Sequence, residues 1–359
     1  MKKIIGMIAL VLIGALLFAA CGKEEGARYD YDLSEYIELP DIRRIEAPFS
    51  DPTVCTEEEI DYTLHQIMLS YAEFSAKEGE SVIEKFDKAV VDYKIFQGDK
   101  ELEEYSQADY GIVVGYDGNG AIDYTLAQEL VGKKVGDTCR VSYTFPTDDV
   151  SLGSWAGVTV ECEGTVKEIL RSHVPECTDE FVQQLEKFNF QTVQEFRDQL
   201  RLDNLEQKME AKKTAVLDTF IKTAEVKKYP DAELKKYVED YITDLKSMAE
   251  EMDMEYGDYL QEYMQSTEDE INELALKDAR VRVKNDMACL QANRILDIKL
   301  TEEEYQEGLK GYFEKEAEQF EDIEAFEAHY TRAFMEDCIR WDKTFEIMVE
   351  GAVSTLEAK

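Results

Sequence analysis

Hydrophobic residues recur along this chain with two different periods. Between Lys85 and Ile169 they alternate with polar residues, most clearly in Ala89–Phe96, Cys139–Phe145 and Val158–Val166. Such alternation is typical of strands that bury one face, and Gln97-Gly98-Asp99 after the first of them predicts a hairpin-like turn. The interval therefore predicts a small antiparallel sheet with one short helix near Tyr124–Leu130, which is an α+β unit.

Outside this interval the apolar residues stand three and four positions apart, which predicts amphipathic helices. A capping box of Thr56 and Glu59 begins a predicted helix over 56–77. Beyond His173 the sequence has four glycines and two prolines, so helix-breaking residues are scarce. We expect an extended all-α region there, with helices over 196–220, 234–248 and 267–290, the last of them beginning at a Thr267–Glu270 capping box. A further helix begins at the Thr301–Glu304 capping box, and one is expected over 323–350.

Residues 22–54 show neither period. They are polar and contain Tyr29, Tyr31 and Tyr36 together with three prolines, a composition that favours a tether with little regular structure. The complete pattern divides the chain into a signal segment (1–20), a tether (21–54), a lead-in helix (55–84), a sheet domain (85–172) and a helical domain (173–359).

The first residues of the chain indicate export. Lys2 and Lys3 precede the apolar stretch Ile4–Phe18, and Ala19-Ala20 stands before Cys21, which is the composition of a secretory signal. The end of this segment resembles the lipobox of bacterial lipoproteins, and that resemblance implies cleavage before Cys21 and a lipid on its sulfur. An uncleaved helical anchor or a plain signal peptide are the alternatives, although the apolar run is shorter than the ~20 residues that span a bilayer. We expect an extracytoplasmic protein that a lipid on Cys21 attaches to the bacterial cell membrane.

The net charge of the chain argues against some classes of binding partner. Lys and Arg total 40 against 79 Asp and Glu, so the formal net charge is −39. Residues 1–20 contain two lysines and no acids, so their removal changes the charge to −41. A nucleic-acid partner is not expected, because phosphate binding requires a basic surface. Intrinsic disorder is also disfavoured, because 44% of the residues are hydrophobic.

The cysteines and histidines do not form a metal-binding motif. Six cysteines follow Cys21, at irregular spacings and without a CxxC pair. In an exported protein an even number permits disulfides, but several of the six occupy apolar positions, where free buried thiols are the alternative. His65, His173 and His329 are far apart in sequence. We predict no metal site and no cofactor.

Five short segments together resemble a known family. They are Val90-Val-Asp-Tyr93, Gly132-Lys-Lys-Val-Gly-Asp137, Thr144-Phe-Pro146, Val166-Lys-Glu-Ile169 and Pro175-Glu-Cys-Thr-Asp-Glu-Phe-Val182. In this order they resemble the FKBP-type peptidyl-prolyl isomerase domain of trigger factor followed by its helical chaperone domain, and the similarity covers about residues 55–359. The family's ribosome-docking domain has no counterpart in the sequence, so no ribosome partner is expected.

The resemblance implies an isomerase site. It assigns the pocket to Tyr93, Tyr110, Ile122 and Leu126, the last two within or beside the floor segment Asp123-Tyr-Thr-Leu126. The floor lacks the family's glycine and aromatic residue, and that loss implies weak or absent activity. Considered without the resemblance, the two tyrosines are interpreted as core residues of a small sheet rather than as walls of a site.

Further wall positions of the implied pocket are Leu102 and Cys162, where the family has Phe. Trp155, in a glycine-flanked loop, is interpreted either as a cap on the sheet or as a client contact.

Methionines mark a second candidate site. Met248, Met252 and Met254 cluster ahead of Gly257, and flexible thioethers suit a surface that accepts varied clients. Core filling is the alternative for these residues.

The sequence thus predicts an exported, lipid-anchored folding factor that isomerises X-Pro bonds and binds unfolded or newly exported polypeptides. An isomerase-inactive holdase chaperone is the alternative. A solute-binding lipoprotein is disfavoured, because the helical second half cannot supply a second α/β lobe.

Overall fold

The computed structural model describes residues 29–76, 81–146, 155, 157–185, 190–317 and 319–356. The predicted signal segment of residues 1–20 and the predicted lipidation site Cys21 lie outside these residues. Within the described part of the chain, no helix is long and apolar enough to cross a membrane.

The regular elements are numbered here in chain order. The strands are β1 (Ile37–Glu38), β2 (Glu46–Ala47), β3 (Glu73–Ala76), β4 (Lys88–Gln97), β5 (Lys100–Glu101), β6 (Gln107–Val113), β7 (Thr138–Thr144), β8 (Thr159–His173), β9 (Glu225–Val226) and β10 (Val353–Ser354). The α-helices are α1 (Glu57–Leu69), α2 (Ala121–Leu130), α3 (Asp179–Gln183), α4 (Val193–Thr223), α5 (Asp231–Glu251), α6 (Tyr256–Glu262), α7 (Glu268–Leu296), α8 (Glu302–Glu316), α9 (Ile323–Tyr330) and α10 (Arg332–Gly351).

The chain divides into two compact units. The described residues between 54 and 205 form one, called here the sheet unit, and those of 29–53 with 206–356 form the other, called the helical unit. The division after residue 205 lies within α4, later than the domain boundary predicted at residue 173. The difference arises because α3 and the first turns of α4 belong to an apolar cluster that includes Ile60 of α1.

The sheet unit is built around its longest strand, β8, which pairs antiparallel with β3, β4 and β7. Strands β5 and β6 pair with β4, also antiparallel. Along β4 every second residue is buried, namely Ala89, Val91, Tyr93 and Ile95, as the alternating pattern predicts. Helix α2 buries Leu126 in the same core. The predicted antiparallel sheet with one short helix is confirmed.

The turn after β4 also agrees with the sequence. Gln97 pairs with Lys100 across Gly98-Asp99, and Gly98 has a φ of 61°. A two-residue hairpin turn requires such left-handed backbone, which glycine adopts without steric cost.

The lead-in helix is shorter than predicted. Helix α1 begins at its capping box of Thr56 and Glu59 but ends at Leu69, not near residue 77. Residues 73–76 form β3, which pairs with the end of β8. Local spacing favoured a continued helix. The segment forms a strand instead, because it pairs with the edge of β8, which is distant in sequence.

The helical unit has one large apolar core, in which Trp341, Phe326 and Tyr305 are almost completely buried. The predicted capping boxes at Thr267 and Thr301 are both present. This confirms the helical second region, to which the short pairs β1–β9 and β2–β10 are added.

The last predicted helix is interrupted. Residues 323–350 were expected to form one helix, but α9 ends at Tyr330 and α10 begins at Arg332. Thr331 between them has a φ of 63° and caps α10 by accepting a hydrogen bond from the Phe334 amide. The cap replaces helical backbone at this position, which the apolar spacing alone does not reveal.

The tether prediction is wrong for residues 29–53. Tyr29, Leu33, Ile37 and Ile45 are among the residues of this segment that are buried in the core of the helical unit. β1 and β2 tie the segment to β9 and β10. The polar composition suggested a tether, but most apolar residues of this segment are spaced so that they meet the helices and are buried, and Tyr31, Tyr36 and Leu39 are partly buried against the same core.

The cysteines beyond Cys21 are free thiols. Cys139, Cys162, Cys289 and Cys338 are buried, whereas Cys55 and Cys177 are partly buried. The free-thiol alternative is therefore the correct one. No metal-binding group of three or more His, Cys, Asp or Glu side chains occurs among the residues that the structure describes.

Candidate functional site

A cavity of about 540 Å³ opens in the sheet unit, beside the first turn of α2. Strands β4 and β6 both supply residues that line the cavity. Its lining residues are Tyr93, Ile95, Glu104, Tyr105, Ser106, Gln107, Tyr110, Ile122, Asp123, Phe145, Trp155 and Val160.

Five of the residues that line the cavity are aromatic. The ring centres of Tyr93 and Tyr110 are 5.0 Å apart. On another side Trp155 lies 5.6 Å from Phe145 and meets Tyr105 edge-on at 5.6 Å. Tilted and edge-on pairs at these distances are favourable and keep the rings in place. Ring–ring contacts therefore order the aromatic part of the wall, while Glu104, Ser106 and Gln107 add polar groups to it.

A hydrogen-bonded pair stands beside the aromatic rings of the wall. The Tyr110 hydroxyl donates to Asp123 at 2.7 Å, and this bond together with burial raises the pKa of Tyr110 to about 12. Burial, with the neighbouring Cys162 and Asp123, raises the pKa of Tyr93 well above its usual range. Both tyrosines are therefore neutral near pH 7, and their hydroxyls are suited to hydrogen bonding rather than to proton transfer.

A second cavity of about 350 Å³ adjoins the first. The two share Tyr93, Ile122, Asp123 and Phe145 as walls. The second extends toward Gly120 and Pro146 at the end of the site. Together they form a groove longer than one side chain, which is a shape suited to an extended peptide.

The structure brings together three of the four predicted pocket residues. Tyr93, Tyr110 and Ile122 line the cavity. Leu126 is not among its lining residues; it is fully buried, against the backbone of Gly164. Four residues advance a helix by just over one turn, so Leu126 lies on the same face as Ile122 but deeper under the sheet.

The two further wall positions that the resemblance implied, Leu102 and Cys162, are not in the cavity wall. Cys162 is fully buried in the sheet core, where burial raises the pKa of its thiol to about 12. Leu102 packs against the same core and is likewise not one of the lining residues.

Sequence reasoning missed Asp123 and Phe145 as site residues. Asp123 stands in the floor segment and Phe145 in the Thr144-Phe-Pro146 motif, so both were in view. One signal for Asp123 was available in the sequence. It is an acid in the first turn of α2, whose N-cap, Gly120, provides no side-chain cap. Trp155 proves to be part of the cavity wall.

The methionine cluster lies in the helical unit, where α5 meets α6. Met248 and Met252 are 49% and 39% exposed, whereas Met254 packs against a small core around Tyr259. The Tyr259 hydroxyl donates to the Met248 sulfur at 3.9 Å. Tyr263, 63% exposed and stacked on Tyr259, adds to this apolar surface and was not predicted.

Comparison with known proteins gives a consistent set of relatives. No family model matches the sequence. The chain is 26% identical over 305 residues to trigger factor of Clostridium botulinum (strain Langeland / NCTC 10281 / Type F), which covers 82% of this chain and 68% of that protein. Trigger factor of Limosilactobacillus fermentum is 24% identical over 331 residues, 90% of this chain and 72% of that protein. Trigger factor of Lysinibacillus sphaericus is 26% identical over 315 residues, with coverages of 85% and 70%.

Among solved structures, one of the trigger factor chaperone, described for promiscuous substrate recognition in folding and assembly, matches with a TM-score of 0.38 and 19% identity. The matched region covers 88% of this chain and 72% of the trigger factor chain.

Proposed function

We propose that the chain, which is similar to trigger factor, is a folding factor that is exported, lipid-anchored and able to isomerise X-Pro bonds. In this proposal the sheet unit binds the prolyl segment of a client. The helical unit binds unfolded polypeptide through the apolar surface around Met248 and Met252.

The aromatic cavity is the observation that supports the isomerase. Rotation about an X-Pro bond must overcome a barrier of ~18–20 kcal/mol, because the planar amide is stabilised by resonance. The twisted amide is less polar than the planar one, so an apolar enclosure favours the transition state over the ground state. The rings of Tyr93, Tyr110, Phe145 and Trp155 supply that enclosure.

No step of this reaction requires a nucleophile or a proton donor. The Tyr110 proton is already engaged by Asp123, which leaves the hydroxyl oxygen as an acceptor. Residues of the cavity would therefore bind and orient the prolyl segment and exclude water from the rotating amide.

A protease-coupled assay on the peptide Ala-Leu-Pro-Phe 4-nitroanilide tests the isomerase. We expect acceleration by the soluble chain that begins after Cys21, and about a tenfold loss of kcat/KM in Trp155→Ala and Ile122→Ala. Leu202→Ala, on an exposed position of α4, is the matched control and should retain full activity. No acceleration at micromolar wild-type protein would refute the isomerase proposal.

The holdase remains the second candidate function, and the position of Leu126 favours it. With Leu126 buried beneath the sheet, the cavity lacks the aromatic floor that the resemblance implies for an active isomerase. A holdase would suppress aggregation of a reduced client even when Ile122→Arg obstructs the cavity.

The apolar surface of the helical unit can be tested separately. Met248→Gln with Met252→Gln should weaken suppression of client aggregation several-fold. Val281→Gln, which is also exposed, is the control. Unchanged suppression in the double variant would exclude this surface as a client site.

Attachment to the membrane rests on the sequence around Cys21. Labelled palmitate should be incorporated into the wild-type chain and not into Cys21→Ser, and cell fractionation should move the variant away from the membrane. Incorporation that persists in the variant would contradict a lipid on this sulfur.

A further inference from the structure

Helix α1 places a buried side-chain amide, that of Gln66, against the loop of residues 114–120, which leads into α2 beside the cavity. Gln66 is 8% exposed, and its side chain makes two hydrogen bonds to that loop. Its Nε2 donates to the Gly115 carbonyl at 2.9 Å, and its Oε1 accepts from the Asp117 amide at 3.0 Å. The amide thus bonds a backbone acceptor and a backbone donor two residues apart, and both its polar ends are satisfied.

This loop, residues 114–120, leads directly into α2. Gly120 is the N-cap of α2, and the next residues include Ile122 and Asp123, which line both cavities. Gly115 has a φ of 75°, a conformation that is strained for residues with a side chain. The position of the cavity wall therefore depends on how this loop is fixed.

Other contacts bring α1 to the same place. The Tyr62 hydroxyl donates to the Asp117 carboxylate at 2.8 Å. The His65 ring lies 4.4 Å from the ring of Phe86, whose amide donates to the Val114 carbonyl at the start of the loop. Successive turns of α1 thus contact the loop, with Gln66 as the buried member.

The opposite side of α1 is itself fixed. Arg197 of α4 pairs with Glu57 and Asp61 at 2.7 Å each, and Ile60 is fully buried in the cluster with α3 and α4. A helix held on both sides is a rigid support for the loop. Residues 88–173, which comprise α2 and every strand of the sheet except β3, do not include this support.

We infer that Gln66 is a positioning residue for the prolyl cavity, which fixes loop 114–120 and through it the α2 residues Ile122 and Asp123. The inference rests on the proposed isomerase function of that cavity. The Gln66 side chain does not line the cavity, so it acts through the loop and not through contact with the peptide.

The principal test is Gln66→Met in the full soluble chain, a change that keeps the length of the side chain and removes both hydrogen bonds. Gln66 is the acceptor that the structure gives the Asp117 amide, so hydrogen exchange of this amide should accelerate at least tenfold. In the same variant kcat/KM for Ala-Leu-Pro-Phe 4-nitroanilide should fall about tenfold. Glu58→Gln, on an exposed position of α1, is the matched control and should change neither quantity.

Two further variants separate positioning from a general loss of structure. Gln66→Glu retains an acceptor for the Asp117 amide and loses the donor to Gly115, so it should keep that amide protected and show an intermediate kcat/KM. Tyr62→Phe removes the outer contact and leaves the Gln66 amide in place, so its effect should be smaller than that of Gln66→Met.

The outcomes distinguish this inference from the proposed function. If wild-type protein does not turn over the peptide, the isomerase proposal fails, while Asp117 exchange and the chemical shifts of Ile122 and Asp123 still decide the role of Gln66. Wild-type exchange at Asp117 and wild-type shifts in Gln66→Met would overturn the inference. Equal losses in Gln66→Glu and Gln66→Met, with exchange accelerated across the whole sheet unit, would also overturn it.

Discussion

The sheet unit and the helical unit each contain one tryptophan, and the two side chains have opposite surroundings. Trp155 lies partly exposed at the edge of the sheet unit's cavity, in contact with Phe145. Trp341 is fully buried in the helical unit, with its ring centre 5.8 Å from those of Phe220 and Phe345. The chain contains no other tryptophan. One therefore has a surface on which a peptide can bind, and the other contributes to the stability of a core.

A tyrosine–carboxylate pair shows the same contrast. Tyr110 donates to Asp123 at 2.7 Å in the cavity wall, and Tyr312 donates to Asp342 at 2.8 Å between α8 and α10. The bond lengths are nearly equal, but burial raises the pKa of Asp342 to about 6. The two pairs have the same residue types and differ in what surrounds them, because one borders a cavity and the other lies in a core.

The largest expected effect comes from the two tryptophans. Trp341→Ala should lower the free energy of unfolding by about 3–5 kcal/mol, because it leaves a large cavity in the core. Trp155→Ala should lower it by less than about 1 kcal/mol and act instead on peptide turnover. Urea denaturation followed by circular dichroism measures both. Similar losses of stability in the two variants would remove the contrast between the units.

The next effect concerns Asp342. Its pKa is higher in the folded protein, about 6, than its ordinary value of 3.8. The stability that its proton contributes is therefore complete below about pH 4 and is lost as the pH rises through about 6. Asp342→Asn should raise the free energy of unfolding by about 2–3 kcal/mol at pH 7.5 and by little at pH 4. Denaturation of both proteins at the two pH values tests this, and a gain of equal size at both would contradict it.

Removal of the two hydroxyls should give a smaller difference. Tyr312→Phe removes the hydrogen bond to the buried Asp342 and should cost about 1–3 kcal/mol of stability. Tyr110→Phe removes the bond to Asp123, which solvent reaches, and should cost less than about 1 kcal/mol. Thermal unfolding of the two variants beside the wild type decides the order, and the reverse order would mean that the cavity pair is the structural one.

The smallest effect should be the same in both units. Thr56→Ala and Thr301→Ala each remove an N-cap of the same capping-box type, from α1 and α8. Each should cost about 1 kcal/mol. Serine at the same positions is the control, because its hydroxyl restores the cap. A cost confined to one unit would show that capping, like aromatic packing, depends on the surroundings.

Local pattern was sufficient for most individual elements. The alternation in β4, the Gly98-Asp99 turn and the three capping boxes each depend on residues close together in sequence, and the structure contains all of them. The pattern failed where a distant partner decided the outcome. β3 exists because β8 extends as far as His173, and residues 29–53 are ordered because helices from the far end of the chain cover them.

The site was predictable in part for the same reason. Tyr93 and Ile122 could be named because each stands in a recognisable segment. That Leu126 lies beneath the sheet, or that Gln66 reaches Gly115 and Asp117, follows only from how α2 and α1 are placed against it.

The sequence by itself determined the order of sheet and helices, the capped beginnings of several helices and the likeness to trigger factor. Those features depend on local spacing and residue type, which a linear pattern records. The tertiary structure alone decided which aromatic residues enclose a cavity and which fill a core. It also decided that Tyr29, Leu33, Ile37 and Ile45 are buried in a core rather than part of a tether. Burial depends on contacts between residues up to hundreds of positions apart, and no local period encodes those contacts.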